Sequence, residues 1–236
     1  MHGTTNLATG IVSNEKKDDG TEHWNDDSED GKAFRRYIKD LFGYDYYMPE
    51  WDGGNRVSSR IQGAEAIAGQ IAVWHRANPD KPIILIGYSH GGNVNKEIVN
   101  ILARDNPPIF VNTLINIAIP IRPDFTLNAR VGQHINVFNR GDAIQVAGAR
   151  HTGTEEVIDF YTGMPRTVPR RVTPDDPRRY GGTVYNIEVP RRHLFGPRAN
   201  HKFMHTDPEV WKRIEELIIL PPFCYNLPCI YLKKLS

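Results

Sequence analysis

The sequence predicts an α/β protein with a mostly parallel central sheet and helices on both of its faces. Short apolar runs that are typical of buried strands alternate with longer segments in which apolar residues recur at helical spacing. The chain has 236 residues, of which 39% are hydrophobic and 24% are charged. Since this length and composition are ordinary for one large globular domain, we expect residues 1–236 to form a single domain around one sheet.

The first third of the chain predicts a loop, two helices and a short strand. Residues 13–32 are acidic and contain glycine, which is typical of a solvated loop. Apolar residues recur at helical spacing over 33–42, and they do so again over 58–78, where Asn78 and the following proline end the pattern. The aromatic stretch 44–51 between these two helices is strand-like.

The rest of the chain predicts four strands and two helices. Residues 82–87 form a continuous apolar run, as expected of a strand that is buried on both faces. The helices are expected over 92–105 and 208–220, with Thr206 and Glu209 as a capping box for the second one. The further strands are expected over 109–120, 134–139 and 183–190. Between about 147 and 182 the pattern breaks down into an Arg- and Pro-rich stretch, interpreted as either a lid-like insertion or a surface loop.

One motif in this pattern indicates chemistry. Gly87-Tyr88-Ser89-His90-Gly91 has the form G-x-S-x-G, and it directly follows the predicted strand and opens the predicted helix, as a nucleophile elbow does. A serine on such a strained turn projects above the carboxyl ends of the strands, where ligand sites of α/β sheets lie. The backbone N–H of His90 would then point at a developing oxyanion. The motif therefore predicts Ser89 as a nucleophile.

The stretch IILIGYSHGGN, residues 83–93, resembles the nucleophile segment of the α/β-hydrolase superfamily in its lipase and esterase branch. The resemblance extends from His2 to about Trp211 and implies the fold of that family. It also implies an oxyanion-hole donor on an early His-Gly-x loop, which matches His2-Gly3-Thr4 and assigns that role to Thr4. In the family this loop follows an apolar strand, whereas here only Met1 precedes it, so the N-terminal strands are either reduced in this chain or absent because the sequence is shortened.

The resemblance further implies an acid and a base for Ser89. The acid is expected after a late strand, where Asp142 follows the run HINVFN, with Asp124 as the alternative. A turn aspartate that caps its own backbone is the rival interpretation of Asp142. The base is expected before the last helix, where we assign His201, with His205 as the alternative. The order Ser89, Asp142, His201 is the order expected of this fold.

Composition limits the partners. Lys and Arg total 29 against 28 Asp and Glu, which argues against a dedicated nucleic-acid-binding protein. The charges are segregated, however, because residues 166–198 contain eight arginines and three acids, and such a positive rim suits an anionic substrate. We expect a small-molecule or lipid ester substrate, no nucleic acid and at most peripheral contact with a membrane.

No cofactor, metal or membrane segment is predicted. His201 and His205 stand four residues apart but lack the intervening glutamate of the H-E-x-x-H zinc motif. No apolar run approaches the ~20 residues of a membrane-spanning helix, and no signal peptide is visible. We therefore expect a soluble protein, either cytoplasmic or exported by a route that needs no signal peptide.

Taken together, the motif and the resemblance predict a serine hydrolase that cleaves carboxylic esters, with acyl lipids as the favoured substrates. An amidase, a peptidase or an acyltransferase on the same fold stays open as an alternative, because the triad does not choose the acceptor. A non-catalytic binding module of the same fold is a second alternative.

Overall fold

A computed structural model of the chain describes about three-fifths of its residues in several ranges. These are residues 29–42, 49, 51, 56–120, 125–139, 141, 142, 145, 154–169, 183–190, 200, 201 and 203–218. The strand predicted at 44–51 lies almost entirely outside the described residues.

Among the described residues, six strands form one mixed sheet. They are β1 Ile84–Tyr88, β2 Val111–Ile117, β3 Val131–Phe138, β4 Thr154–Asp159, β5 Pro165–Pro169 and β6 Thr183–Glu188. Their order across the sheet is β1-β2-β3-β6-β4-β5. Every neighbouring pair is parallel except β4 and β5, which form an antiparallel hairpin. The predicted α/β class with a mostly parallel sheet is therefore confirmed.

Helices cover both faces of the sheet. They are α1 Glu29–Phe42, α2 Val57–Ala77, α3 His90–Leu102 and α4 Pro208–Leu217. One core cluster joins Leu114 of β2 to Ile67 of α2 and Ile98 of α3. A second cluster joins Ile115, the next residue of β2, to Phe34 of α1 and to α4. Because successive side chains of a strand point to opposite faces, these clusters lie on the two sides of the sheet.

The direction of the strands decides where the site can form. β1, β2, β3, β6 and β4 run parallel, so their carboxyl ends share one edge of the sheet. Ser89 directly follows β1, and Asp142 follows β3 four residues after its end. His201 lies between β6 and α4, which begins at Pro208. The three residues assigned to catalysis from the sequence thus follow strands that end at a common edge.

The interpretation of 147–182 as a loop or lid is wrong for its described part. Residues 154–169 form the hairpin β4–β5, and β4 pairs with β6, so the hairpin extends the sheet. The turn is stabilised by the Asp159 carboxylate, which accepts hydrogen bonds from the backbone N–H groups of Tyr161 (3.1 Å) and Thr162 (2.9 Å). Pro165 and Pro169 fit this arrangement because β5 ends the strand order, where a missing N–H is tolerated.

The start of α1 and the capping residue of α4 also differ from the prediction. α1 begins at Glu29, inside the segment predicted as an acidic loop. The N-cap of α4 is Asp207 and not Thr206, since the Asp207 side chain accepts a hydrogen bond from the Glu209 N–H at 2.9 Å. Pro208 explains the shift, because proline is preorganised for the first helical position and places the cap one residue before it. The same helix ends at Leu217, three residues before the predicted end.

Candidate active site

Ser89 lies on a strained turn between β1 and α3. Its backbone has φ 52° and ψ −132°, a left-handed φ that costs a non-glycine residue about 1–3 kcal/mol. Hydrogen bonds hold this conformation: the Ser89 N–H donates to the Ile117 carbonyl (2.9 Å), and the Gly92 N–H donates to the Ser89 carbonyl (3.1 Å). The strand–turn–helix arrangement predicted for the motif is therefore present, with the strain at the serine itself.

Two glycines allow β1 and α3 to approach each other at this turn. A Cβ on Gly87 would lie 2.6 Å from Asn95 Nδ2 and 2.8 Å from the Gly92 backbone. A Cβ on Gly92 would lie 2.0 Å from Ile119 Cγ2, far inside van der Waals contact. Gly87 belongs to the pentapeptide that the sequence analysis singled out. Gly92 lies one residue beyond the motif and was missed, although the doubled glycine after His90 was a visible signal.

The structure brings together Ser89, His201 and Asp142. His201 Nε2 lies 2.9 Å from Ser89 Oγ, and His201 Nδ1 lies 2.5 Å from Asp142 Oδ2. Because a carboxylate can only accept, Nδ1 carries the proton and Nε2 accepts the Ser89 hydroxyl. The exposed fractions are 4% for Ser89, 7% for His201 and 0% for Asp142, so these contacts are largely shielded from water. The arrangement can move a proton from the serine to the histidine.

Asp142 uses its two oxygens for different partners. Oδ2 faces His201, while Oδ1 accepts a hydrogen bond from the Gln145 N–H at 3.3 Å. The Gln145 side chain in turn accepts from the Asn139 N–H (2.9 Å) and donates to the Ile119 carbonyl (3.2 Å). The turn-capping interpretation of Asp142 and its contact with His201 therefore hold at the same time. Gln145 was missed, although Asp142-x-x-Gln145 has the spacing of a capping box.

The residue before the nucleophile contacts the segment that carries His201. The Tyr88 hydroxyl donates to the His201 carbonyl at 3.2 Å, and the ring centroids of Tyr88 and His201 are 5.0 Å apart. The Tyr88 ring also contacts His205, with centroids 4.3 Å apart. Burial, with a smaller effect from the Asp142 charge, raises the pKa of Tyr88 well above its usual range. Tyr88 is therefore a protonated donor at neutral pH.

His205 does not take the place of His201. It ends the 3₁₀ turn Phe203–His205, and its side chain is buried beside Tyr88. Its carbonyl accepts a hydrogen bond from Trp211 Nε1 at 2.8 Å, which ties this turn to α4. The alternative assignment of His205 as the base therefore has no support in the geometry, since His201 bridges Ser89 and Asp142.

His90 opens α3 beside the nucleophile. N–H groups in the first turn of a helix have no acceptor within that helix, so the His90 N–H is suited to bind an oxyanion. The His90 side chain lies 3.4 Å from Arg60 Nη1 and 3.4 Å from Asn93 Nδ2, both at its Nδ1. Arg60 is buried and its guanidinium packs over the Phe125 ring at 5.1 Å. A buried positive charge thus lies close to the start of α3.

Two of the residues assigned from the sequence, Thr4 and Asp124, lie outside the described residues. Within the described ranges, no group of three or more His, Cys, Asp or Glu side chains is arranged to hold a metal ion. None of the helices in these ranges is long and apolar enough to cross a membrane.

Comparison with known proteins finds no match, whether among protein-family models, curated proteins or solved structures.

Proposed function

We propose that the protein is a serine hydrolase of the α/β-hydrolase fold that cleaves carboxylic esters, with acyl lipids as the favoured substrates. The observation that carries this proposal is the hydrogen-bonded series Ser89–His201–Asp142 at distances of 2.9 and 2.5 Å. A nucleophile, a base and a group that orients the base form the constellation required for nucleophilic catalysis.

The parallel sheet and the chain order support the same fold. Ser89 follows β1, Asp142 follows β3 and His201 comes after β6, which is the Ser…Asp…His order of α/β-hydrolases. The left-handed φ of Ser89 is the strained backbone that a nucleophile elbow requires. These features together favour a nucleophile elbow of this fold at Ser89 over an incidental glycine-rich turn between a strand and a helix.

The mechanism follows from the contacts of the three side chains. His201 removes the Ser89 proton as Oγ attacks the ester carbonyl carbon, and a tetrahedral intermediate forms. His201 then delivers that proton to the leaving alcohol, the C–O bond breaks and an acyl-enzyme remains. Water, deprotonated by His201, attacks the acyl carbon and releases the carboxylic acid and Ser89. Asp142 fixes the tautomer and stabilises the imidazolium in both halves.

The oxyanion of the tetrahedral intermediate needs donors. The His90 N–H at the start of α3 is the proposed first donor, assisted by the positive end of the helix dipole. The Thr4 N–H is the proposed second donor, on the resemblance alone. Loss of one such donor typically costs about 2.7–4 kcal/mol of transition-state stabilisation.

Fluorophosphonate labelling tests the central claim, because this probe reacts with activated serines. We expect labelling of the wild type at Ser89, complete loss of labelling in Ser89→Ala and normal labelling in Ser58→Ala. Ser58 is a suitable control because it is exposed on α2. If folded wild-type protein is never modified at Ser89, the serine hydrolase is refuted and a non-catalytic binding module takes its place.

A series of p-nitrophenyl esters of increasing acyl length tests the substrate class. We expect kcat/KM to rise from acetate to medium and long chains, since apolar contacts stabilise the transition state by about 0.8 kcal/mol per buried methylene. The matched p-nitroanilides serve as the comparison. Preference for short esters would exclude acyl lipids, and faster cleavage of the anilides would identify an amidase.

A further inference from the structure

Tyr88 joins the nucleophile strand to the segment that carries the proposed base. It is the last residue of β1, next to Ser89, and its side chain is buried among the residues that link the sheet to α1 and α4. From this position its hydroxyl donates to the His201 carbonyl at 3.2 Å. Its ring lies against the imidazoles of His201 and His205, with centroids at 5.0 and 4.3 Å. One side chain thus contacts both ends of the segment 201–205.

The position of a histidine side chain depends on the orientation of its ring and on the position of its backbone. Asp142 orients the His201 ring through Nδ1. This contact with the ring does not fix how far the His201 backbone lies from β1. The Tyr88 hydroxyl bonds to that backbone. Because Tyr88 and Ser89 are adjacent, a shift of the His201 backbone away from β1 would break this hydrogen bond as it lengthens the Ser89–His201 contact.

We infer that Tyr88 is a positioning residue that holds His201 at reacting distance from Ser89, an inference that builds on the proposed function. Packing alone does not account for a tyrosine here, because phenylalanine would fill the same space without a polar atom. A buried hydroxyl needs a partner, and the partner here is the main chain of the proposed base. Burial also raises the pKa of the phenol, which keeps it a protonated donor at neutral pH.

Tyr88→Phe removes only the hydroxyl and is the direct test. We expect kcat per titrated active site to fall about tenfold with KM unchanged, because misplaced reacting groups slow the chemical step and not substrate binding. Counting active sites with a fluorophosphonate corrects for any unfolded protein. A purely structural role would lower the number of titrated sites and leave kcat per site unchanged, and that result would overturn the inference.

A spectroscopic readout does not depend on activity. The Nδ1 proton between His201 and Asp142, whose heavy atoms lie 2.5 Å apart, should give a downfield proton NMR resonance in the wild type. We expect this resonance to move upfield or broaden in Tyr88→Phe. An unchanged resonance would show that the hydroxyl does not position His201.

Tyr37→Phe is the matched control. Tyr37 lies on α1 and stacks on Trp211 of α4 with centroids 5.8 Å apart, so the same change is made in the same core cluster. We expect wild-type kcat and an unchanged resonance in this variant, and equal effects of both substitutions would refute a specific role for Tyr88. If wild-type Ser89 is never labelled, the proposed function fails while the NMR comparison still decides whether Tyr88 positions His201.

Discussion

Asp142 shows how one side chain combines a structural and a chemical role. Oδ1 accepts from the Gln145 N–H, and Oδ2 contacts His201 Nδ1. An asparagine at this position can keep the first contact, because its side-chain oxygen still accepts. It cannot orient the imidazole as a carboxylate does, since its other group is a donor.

We therefore expect Asp142→Asn to fold normally and to lose activity. The kcat should fall by about 10⁴-fold, the effect known for the equivalent substitution in serine proteases, because His201 then adopts the wrong tautomer. The melting temperature should stay close to that of the wild type, whereas Asp142→Ala should lower both quantities. Nearly wild-type kcat in Asp142→Asn would exclude Asp142 as the acid and direct attention to Asp124.

The two histidines give a second prediction at the residue scale. We expect His201→Ala to lose at least about 10⁴-fold in kcat, as removal of the base does in comparable triads. His205→Ala should retain kcat within about tenfold, because His205 contacts Tyr88 and not Ser89. Steady-state hydrolysis of a p-nitrophenyl ester measures both. The opposite result, with activity that survives the loss of His201, would identify His205 as the base.

The residues of the site differ in how far the sequence could predict them. Ser89 was assigned from a motif, Asp142 and His201 were assigned from the family resemblance, and the structure brings the three together. Tyr88 could not be assigned, because its role depends on a contact with the backbone of a residue 113 positions away. No local pattern encodes such a contact, since any buried aromatic residue would fit the strand equally well.

At the scale of elements, we expect replacement of two different glycines by alanine to change the free energy of unfolding in opposite directions. Gly92→Ala would place a Cβ 2.0 Å from Ile119 Cγ2, so we expect it to lower the free energy of unfolding by about 1–3 kcal/mol. Gly69 lies in α2 and has nothing within 4 Å of its Cβ position. Gly69→Ala should therefore raise that free energy by about 0.5–1 kcal/mol through helix propensity.

Urea unfolding of both variants measures these changes. Fluorophosphonate labelling adds a second comparison, because Gly92 packs beside the Ser89 turn and Gly69 lies on an exposed helix face. Slower labelling is expected only in Gly92→Ala. Two equally stable, equally reactive variants would contradict the close approach of α3 to Ile119, which follows β2.

The boundaries of the elements with strong periodicity were predicted to within a few residues. The strands at the edge of the sheet were not predicted. α2 and β1 follow the predicted boundaries closely, since their apolar patterns are unbroken. The hairpin β4–β5 lies in the stretch that was interpreted as a lid-like insertion or a surface loop, because residues 147–182 are rich in Arg and Pro. Proline is compatible with a strand only at an edge, and the position of a strand in the sheet is a property of the tertiary fold.

At the scale of the whole molecule, one buried histidine makes stability depend on pH. His134 lies in β3, is fully buried and contacts Asn116 Nδ2 through its Nε2 at 3.2 Å. Burial, with a smaller effect from the charge of Lys96, lowers the pKa of His134 from 6.5 to about 3. Between these two values the unfolded chain binds a proton that the folded protein does not, so the stability from this group is full above pH 6.5 and declines as pH falls.

We expect this group to remove about 2 kcal/mol of unfolding free energy between pH 7 and pH 5. The measurement is urea unfolding at the two pH values for the wild type and for His134→Gln. His134→Gln should abolish this part of the loss of unfolding free energy. His75→Gln, which changes a half-buried histidine on α2, should leave the loss unchanged. Wild-type and His134→Gln curves that decline in parallel would contradict a neutral, buried His134.

The separation of the site residues along the chain has a consequence for biosynthesis. Ser89 and His201 are 112 positions apart, and Asp142 and His201 are 59 apart. At a synthesis rate of about 5–20 residues per second, His201 leaves the ribosome roughly 6–22 seconds after Ser89. During that interval Ser89 exists without the residue proposed as its proton acceptor, so the proposed nucleophile is not yet activated in the nascent chain. Reactivity arises only when β6 has joined the sheet and α4 has packed against it. The hydrolytic activity proposed here therefore appears late in translation.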